Sequence, residues 1–405
     1  MGGGYVGGVI EHVLVVGASL AGLHAVEGLR RVGYAGRITV VGAEPHLPYD
    51  RPPLSKQVLR GKVPVDKLVL RTPEQFEQLR ADWRTGVRAT ALRPERIEIA
   101  LDDGTSIAAD GLIVATGSTP RRLPGQLDHP HVHELRTSDD AARLATALAG
   151  GGQQVAVVGA GFIGLEAAGS AHALGNTVTV YEGAPAPLMR ALGPQLGSDV
   201  AAVYAARGVE IRCGVSIDGF SAGGLLVDGE FTPADVVIVG IGVTPATDWL
   251  EGSGLALDNG VVCDQFLNAG RPGVYAAGDV CRWQHPLYDE LVRVEHWTNA
   301  IDQGGDAAAN LLAEAAGEPP APHARVPYFW SEQHDRRIQF LGYAAGYDTA
   351  ELVAGSWEAE KYVVLLGRAG QLRGVLAMNS ARALVPFRAA LPEGISVDAA
   401  KALLA

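Results

Sequence analysis

The stretch HVLVVGASLAGLHAVEGLRRVGYAGRITVVGAE, residues 12–44, decides the fold. It opens on the apolar run HVLVV, long enough for one fully buried strand. The glycine turn GASLAG follows, then a helical stretch rich in Ala and Leu, then the β-branched run RITVVG leading to Glu44. Strand, glycine turn, helix, strand and acid in that order make a βαβ unit with a dinucleotide fingerprint. The design recurs as QVAVVGAGFIGLEAAGSAHALGNTVTVYEG, residues 154–183. A single pattern of this kind arises by chance in a chain with 52 glycines; two copies in full context leave little room for accident.

The copies differ in the turn. Gly159, Gly161 and Gly164 complete the second fingerprint, whereas the first has Gly17 and Gly22 with Ser19 at the middle position. Serine is small enough to let backbone approach a pyrophosphate. Glu44 follows Gly22 by 22 positions and Glu182 follows Gly164 by 18, and both fit an acid that bonds ribose hydroxyls. Further apolar strands end in small residues at DGLIVATGSTPRRLPG (110–125), ADVVIVGIGVTPATDWL (234–250) and GVYAAGDV (273–280). Such strand ends are where doubly wound sheets place ligands.

The bulk numbers agree with a packed protein of two or three domains: 405 residues, 47% hydrophobic. No apolar run reaches the roughly 18–20 residues that cross a bilayer. The start, MGGGYVGG, has no basic segment and no apolar h-region, and reads as a loose tail over residues 1–8. Cys213, Cys263 and Cys281 are widely separated, giving no CxxC pair, no zinc spacing and no disulfide framework. A reducing cytoplasm is the simplest location. The net charge of −12 argues against nucleic acid as the main partner.

Two dinucleotide units with an ATG and a GD motif resemble the two-dinucleotide-domain flavoproteins, whose fold is glutathione-reductase-like. PYDRPPLSK (48–56), VEHWTNA (294–300) and VPYFWSEQHDRRIQFLG (326–342) narrow this. They resemble the NADH-dependent ferredoxin and rubredoxin reductases that serve Rieske dioxygenases and bacterial cytochromes P450, from about residue 10 to near the C-terminus. The resemblance implies an α/β protein with two Rossmann-like domains and a C-terminal α/β domain. The FAD-binding domain would be residues 9–117 plus 246–323, with the NADH-binding domain inserted at 118–245. The proline-rich EPPAPHARVP (318–327) would be a linker to a third domain at 324–405. In that domain RIQFLGY, KYVVLLGR and GVLAMN read as strands and 397–405 as helix, with no visible catalytic chemistry.

The same resemblance implies the site residues. For FAD they are Gly17, Ser19, Ala21, Gly22, Glu44, Arg51, Lys56, Val87, Ala115, Thr116, Gly117 and Arg121. Gly278, Asp279, Glu295, His296, Trp297 and Trp330 complete that set. For NADH they are Gly159, Gly161, Phe162, Ile163, Gly164, Glu166, Glu182, Arg190, Ile241 and Gly242. Gly17 and Gly22 would bring N–H groups to the pyrophosphate at a helix N-terminus. Glu44 would hold the adenosine ribose and Arg51 a phosphate. Asp279, which in isolation reads as a helix N-cap, would accept from the flavin ribitol. Lys56 and Glu166 would meet near the flavin and form the catalytic pair, the cation favouring the reduced anionic ring; the plain alternative is an interdomain salt bridge. Trp297 and Trp330 would line the flavin edge. Glu182 would bond the NADH ribose and repel a 2′-phosphate, with Arg190 the one nearby base that argues for NADPH.

By the same resemblance, a hydride from NADH enters the flavin and electrons leave singly to a [2Fe–2S] ferredoxin. Disulfide reductases and peroxidases of the superfamily carry cysteine after the first unit, and residues 44–60 contain none. Electrons would leave from the flavin directly. Ferredoxins are usually acidic, so docking would need a local basic patch, expected at Arg325, Arg336 and Arg337. A monomer or weak dimer is expected. The alternatives are a same-fold NADH reductase acting on rubredoxin or a small-molecule acceptor, and a signalling flavoprotein of the apoptosis-inducing-factor kind, which would want a basic surface.

Overall fold

The computed structural model describes residues 10–93 and 95–404. The expected tail at 1–8 lies outside them. The strand His12–Val16 forms where the sequence places it, with Val13, Leu14, Val15 and Val16 at most 2% exposed. Burial on both faces is the condition of a parallel sheet, and each such side chain contributes roughly 1.5–3 kcal/mol relative to exposure. It pairs in parallel with Arg37–Gly42 on one side and Gly111–Val114 on the other. The sheet runs Asn268–Arg271, Val274–Ala276, Gly111–Val114, His12–Val16, Arg37–Gly42, Asp82–Thr85. Strand order therefore reverses beside His12–Val16, which is where a cleft opens past the carboxyl ends.

The second unit repeats the plan. Its five strands are all parallel, in the order Glu210–Cys213, Thr177–Glu182, Gln154–Val158, Val236–Val239, Val132–Glu134. Each unit also carries a three-stranded antiparallel sheet just before its last central strand: Ala89–Arg93, Glu98–Leu101 and Ser106–Ala108 in the first, Ile217–Ser221, Gly224–Val227 and Glu230–Pro233 in the second. The chain passes between the units twice, and the passing strands Ser118–Pro120 and Val243–Pro245 pair antiparallel. Helix Trp297–Ala316 then returns to pack on helix Leu20–Arg31. Gly304 permits this close crossing, since a Cβ there would stand 2.4 Å from the Ala21 carbonyl.

The C-terminal unit has helices and a wholly antiparallel sheet of five strands, Tyr328–Gln333, Arg336–Gly342, Gln371–Met378, Lys361–Arg368 and Thr349–Ser356 in spatial order. Sequence patterning found three of these strands and missed Tyr328–Gln333 and Thr349–Ser356. The first is aromatic and polar because both its faces touch other units; the second lies at the sheet edge with alternating exposure. The segment 318–327 has no regular structure, yet it is strapped down. Trp283 Nε1 and Asn310 Nδ2 donate to the carbonyls of His323 and Ala321, and His323 Nδ1 stands 2.8 Å from Asp306 Oδ2.

Candidate active site

A cleft of about 1350 Å³ opens at the carboxyl edge of the first sheet and runs to the second unit and the C-terminal sheet. Its floor is the glycine turn. Gly17 has φ 121° and its N–H donates to the Val41 carbonyl at 2.7 Å. Gly159 in the second unit has φ 99° and donates to the Tyr181 carbonyl, also at 2.7 Å. A Cβ on Gly22 would sit 1.8 Å from the Gly17 oxygen, and one on Gly164 2.1 Å from the Gly159 oxygen. Each turn is thus a close approach that only glycine allows. Helices Leu20–Arg31 and Phe162–Ala173 begin there with no side-chain cap, at Ser19 and Gly161. Helices Pro73–Leu79 and Ser138–Leu148 begin with full capping boxes instead. Uncapped N–H groups over a glycine cradle fit a dinucleotide in each unit, and the first cradle also floors the long cleft.

The first unit's acid is held by side chains. Glu44 Oε1 accepts from Arg51 at 2.6 Å, and Tyr49 donates its hydroxyl to Oε2. Burial pushes the Tyr49 phenol up to about 12, so it stays a donor. Arg51 also donates to the Arg136 carbonyl at 2.7 Å and reaches Ser19 Oγ at 3.4 Å. A carboxylate has further lone pairs, so Glu44 retains capacity for a ribose. Across the cleft Asp279 Oδ2 accepts from Ser118 at 2.9 Å and faces Arg136 at 3.5 Å. Gly278 N–H donates to Gln303. Burial drives the His296 pKa down to about 4, and its Nδ1 has no partner among the described residues. That atom, the Arg136 guanidinium and Arg293 Nε, which also has no partner among the described residues, are polar groups available to a ligand on this wall. Val87, Ala115, Thr116, Gly117, Ala21 and Glu295 also line the cleft.

Where the two units and the C-terminal sheet converge, Lys56 and Glu166 meet. Both are 7% exposed, and Nζ lies 2.8 Å from Oε2. Lys56 sits in a single π-helical turn, Leu54–Val58, a form that often marks functional sites. The turn brings neighbouring Ser55 onto the same oxygen at 2.5 Å, while Ser331 donates to Oε1 at 2.7 Å. All four residues line the cleft.

Trp297 and Trp330 stand at its mouth with ring centroids 6.0 Å apart, and Trp297 Nε1 donates to Asp50 at 2.8 Å. Arg337 lies over the Trp330 ring at 5.8 Å and Arg388 over Tyr328 at 4.8 Å. Both are exposed, with no carboxylate partner among the described residues. The other two expected docking arginines are committed elsewhere. Arg336 pairs with Glu360 and Asp335, in a cluster shared with Arg207, and Arg325 faces Asp302 and Asp306 at 3.6 and 3.5 Å.

In the second unit Phe162, Ile163 and Glu166 reach the cleft, whereas Gly159, Gly161, Gly164, Glu182, Ile241 and Gly242 lie outside its lining. Glu182 is held by backbone: Oε2 accepts from Ala160 N at 2.7 Å and Oε1 from Ala184 N at 2.8 Å. The Arg190 side chain lies outside the described residues. Arg121 is exposed and donates to the Val243 carbonyl; its neighbour Arg122 lines the cleft instead. Sequence reasoning also missed Ser55, Ser118, Arg136 and Ser331. Ser55 lies inside the quoted PYDRPPLSK motif, Ser118 inside ATGSTP and Ser331 inside VPYFWSEQHDRRIQFLG, so all three carried a signal; Arg136 carried none without tertiary contacts.

The comparisons agree over nearly the whole chain. The pyridine nucleotide-disulphide oxidoreductase family model matches residues 11–304, and a reductase C-terminal model matches 328–403. The chain is 36% identical to rhodocoxin reductase of Rhodococcus erythropolis over 378 residues, 91% of this chain and 87% of that protein. It is 35% identical over 393 residues to the ferredoxin–NAD(+) reductase component of the p-cumate 2,3-dioxygenase system of Pseudomonas putida, covering 96% and 95%. Among solved structures, the covalent putidaredoxin reductase–putidaredoxin complex superposes with a TM-score of 0.89 at 31% identity, covering 96% of this chain and 94% of that one. With the family model matching most of the chain and relatives matched over most of their length, the chain belongs to the pyridine nucleotide-disulphide oxidoreductase family, among its ferredoxin–NAD(+) reductases.

Proposed function

We propose that the first unit holds FAD, that the second presents NADH to it, and that the electrons leave one at a time to a ferredoxin serving a cytochrome P450 or Rieske-type oxygenase. The observation that carries this is the buried Lys56–Glu166 pair, 2.8 Å apart, on the seam of two glycine-cradle units. When bound, FAD supplies the exchange between a hydride taken from NADH and electrons given up singly. Lys56 would place a fixed positive charge beside the redox ring in a site closed to water, where it favours negative charge developing there. Glu166 keeps Lys56 oriented and compensates its burial. The Gly17–Gly22 turn would take the pyrophosphate, Glu44 and Arg51 the adenosine end, and Asp279, His296 and Arg136 the far wall. Glu182 would bond the NADH ribose. The three cysteines are free and none lines the cleft, so no thiol step is called for.

The domain seams follow: 9–117 with 246–323 for FAD, 118–245 for NADH, and 324–405 as the C-terminal unit, supported by the paired passing strands. No helix among the described residues is long and apolar enough to cross a membrane, and the free cysteines support a reducing cytoplasm.

Ferredoxin would dock over Trp330, where Arg337 and Arg388 offer unpaired positive charge on a protein of net charge −12. The reading is tested by cytochrome c reduction with NADH, adding candidate ferredoxins one at a time. Arg337→Glu should slow that reaction severalfold at low salt and less at high salt, with ferricyanide reduction unchanged. Arg336→Glu, which breaks the Glu360 cluster, should lower both activities together. Equal loss of both activities in Arg337→Glu would make it structural too.

A further inference from the structure

The carboxylate of Glu166 accepts from two segments of the chain, Ser55 and Lys56 on Oε2 and Ser331 with the more distant Glu332 N–H on Oε1, and the second segment comes from a part with no expected role in the chemistry. Ser331 lies on strand Tyr328–Gln333 of the C-terminal sheet and is 1% exposed. An ionised carboxylate only accepts, so the single Ser331 hydroxyl proton must point to Oε1, 2.7 Å away. The hydroxyl oxygen is then free to accept, and Gln333 Nε2 donates to it at 2.7 Å. That fixes the Gln333 amide with Oε1 facing the other way, onto the Tyr204 hydroxyl at 2.6 Å. Tyr204 is fully buried, and burial raises its phenol well above the ordinary value, so it remains a donor. It shares its proton with the Leu165 carbonyl, 2.7 Å away, in the helix that bears Glu166. Donation therefore runs in one direction, Tyr204 to Gln333 to Ser331 to Glu166, through residues that are all buried.

We propose that Ser331, oriented by Gln333 and Tyr204, is a positioning residue for hydride transfer: it holds Oε1 of Glu166 so that Oε2 stays on Lys56. The inference rests on the role given above to the Lys56–Glu166 pair. It makes the C-terminal unit part of the reacting site. A chain of aligned hydrogen bonds shielded from water polarises each member in turn, and a bond to a charged group matters more than one between neutral groups. The same strand supplies Trp330, so one strand both orients the buried pair and lines the mouth of the cleft.

The experiment uses the FAD-loaded full chain, reading the visible spectrum of the bound flavin and the rate of its reduction by NADH in stopped flow. Ser331→Ala should slow reduction about tenfold, with NADH KM changed less than about twofold, and should displace the flavin absorption bands. Ser331→Thr, which keeps the hydroxyl, should restore rate and spectrum. In a Lys56→Met, Glu166→Leu background, which removes both charges together, Ser331→Ala should have no further effect. Tyr204→Phe should act in the same direction as Ser331→Ala but more weakly, and serves if the serine variant folds poorly. Equal loss in both backgrounds, no rescue by threonine, or an unchanged rate and spectrum would overturn the proposal. A wild-type chain that takes up FAD but is not reduced by NADH would instead overturn the reading on which it rests.

Discussion

The first and second dinucleotide units share a backbone and differ in how they are dressed. In both, a positive-φ glycine donates to the neighbouring parallel strand, and a second glycine packs on its oxygen. In the first unit the acid Glu44 is tied by the side chains of Arg51 and Tyr49, and Arg51 reaches Ser19 in the turn. In the second, Glu182 is tied by the N–H groups of Ala160 and Ala184, and a Cβ on Gly161 would meet nothing nearer than 4.0 Å. The cleft lining is drawn mainly from the first unit, while the second contributes Phe162, Ile163 and Glu166 from helix Phe162–Ala173 and, ahead of its glycine turn, residues such as Arg122, Leu135, Arg136 and Asp140. A site walled by interlocked side chains suits a cofactor that stays; an open turn closed only by its own backbone suits a substrate that must come and go. Under the proposed function the same fold element would serve residence in one place and exchange in the other.

The strongest way to break this comparison is to fill each turn. Gly22→Ala puts a Cβ 1.8 Å from a carbonyl oxygen, and should weaken FAD retention on gel filtration by about a hundredfold or more. Gly164→Ala makes the matching clash at 2.1 Å, but should leave FAD bound and raise the NADH KM. Loss of FAD from both variants would deny the division of labour. A smaller effect is expected at the second acid. Glu182→Ala should narrow the NADH:NADPH ratio of kcat/KM by about tenfold, mainly by weakening NADH; a ratio unchanged within about twofold would move the discrimination elsewhere. The smallest effect sharpens the contrast at the middle position. Ser19→Gly gives the first turn the second turn's glycine pattern and removes only the long contact to Arg51, so FAD affinity should change less than about threefold. A large loss would mean that Ser19 itself contacts the cofactor.

Much of this was legible in residues 12–44 and 154–183, because parallel βαβ units write themselves locally: apolar strand, glycine turn, helix, acid. Lys56 and Glu166, 110 positions apart, were paired only through a family resemblance, and the structure brings them into contact. What the residues could not tell is how distant polar groups share partners. Ser331 looks like any serine in an aromatic strand until the third unit folds against Glu166. Arg336 and Arg337 are adjacent, and strand alternation sends one into the Glu360 cluster and the other over Trp330. Arg121 and Arg122, just past strand Ser118–Pro120, also divide, one to the Val243 carbonyl and the other to the cleft. Charge patterning along a chain gives the sign of a region, while the pleat decides which member of a pair is free.

The central claim is that one unit holds a resident FAD and the other delivers NADH to it. Anaerobic titration of the FAD-loaded chain with NADH, followed by flavin absorbance, tests it most directly. The account predicts one FAD per chain, bleached in full by one equivalent of NADH in the wild type, and still bound but bleached far more slowly in Gly164→Ala. A chain that retains FMN in place of FAD, or a Gly164→Ala variant bleached as readily as the wild type, would contradict it.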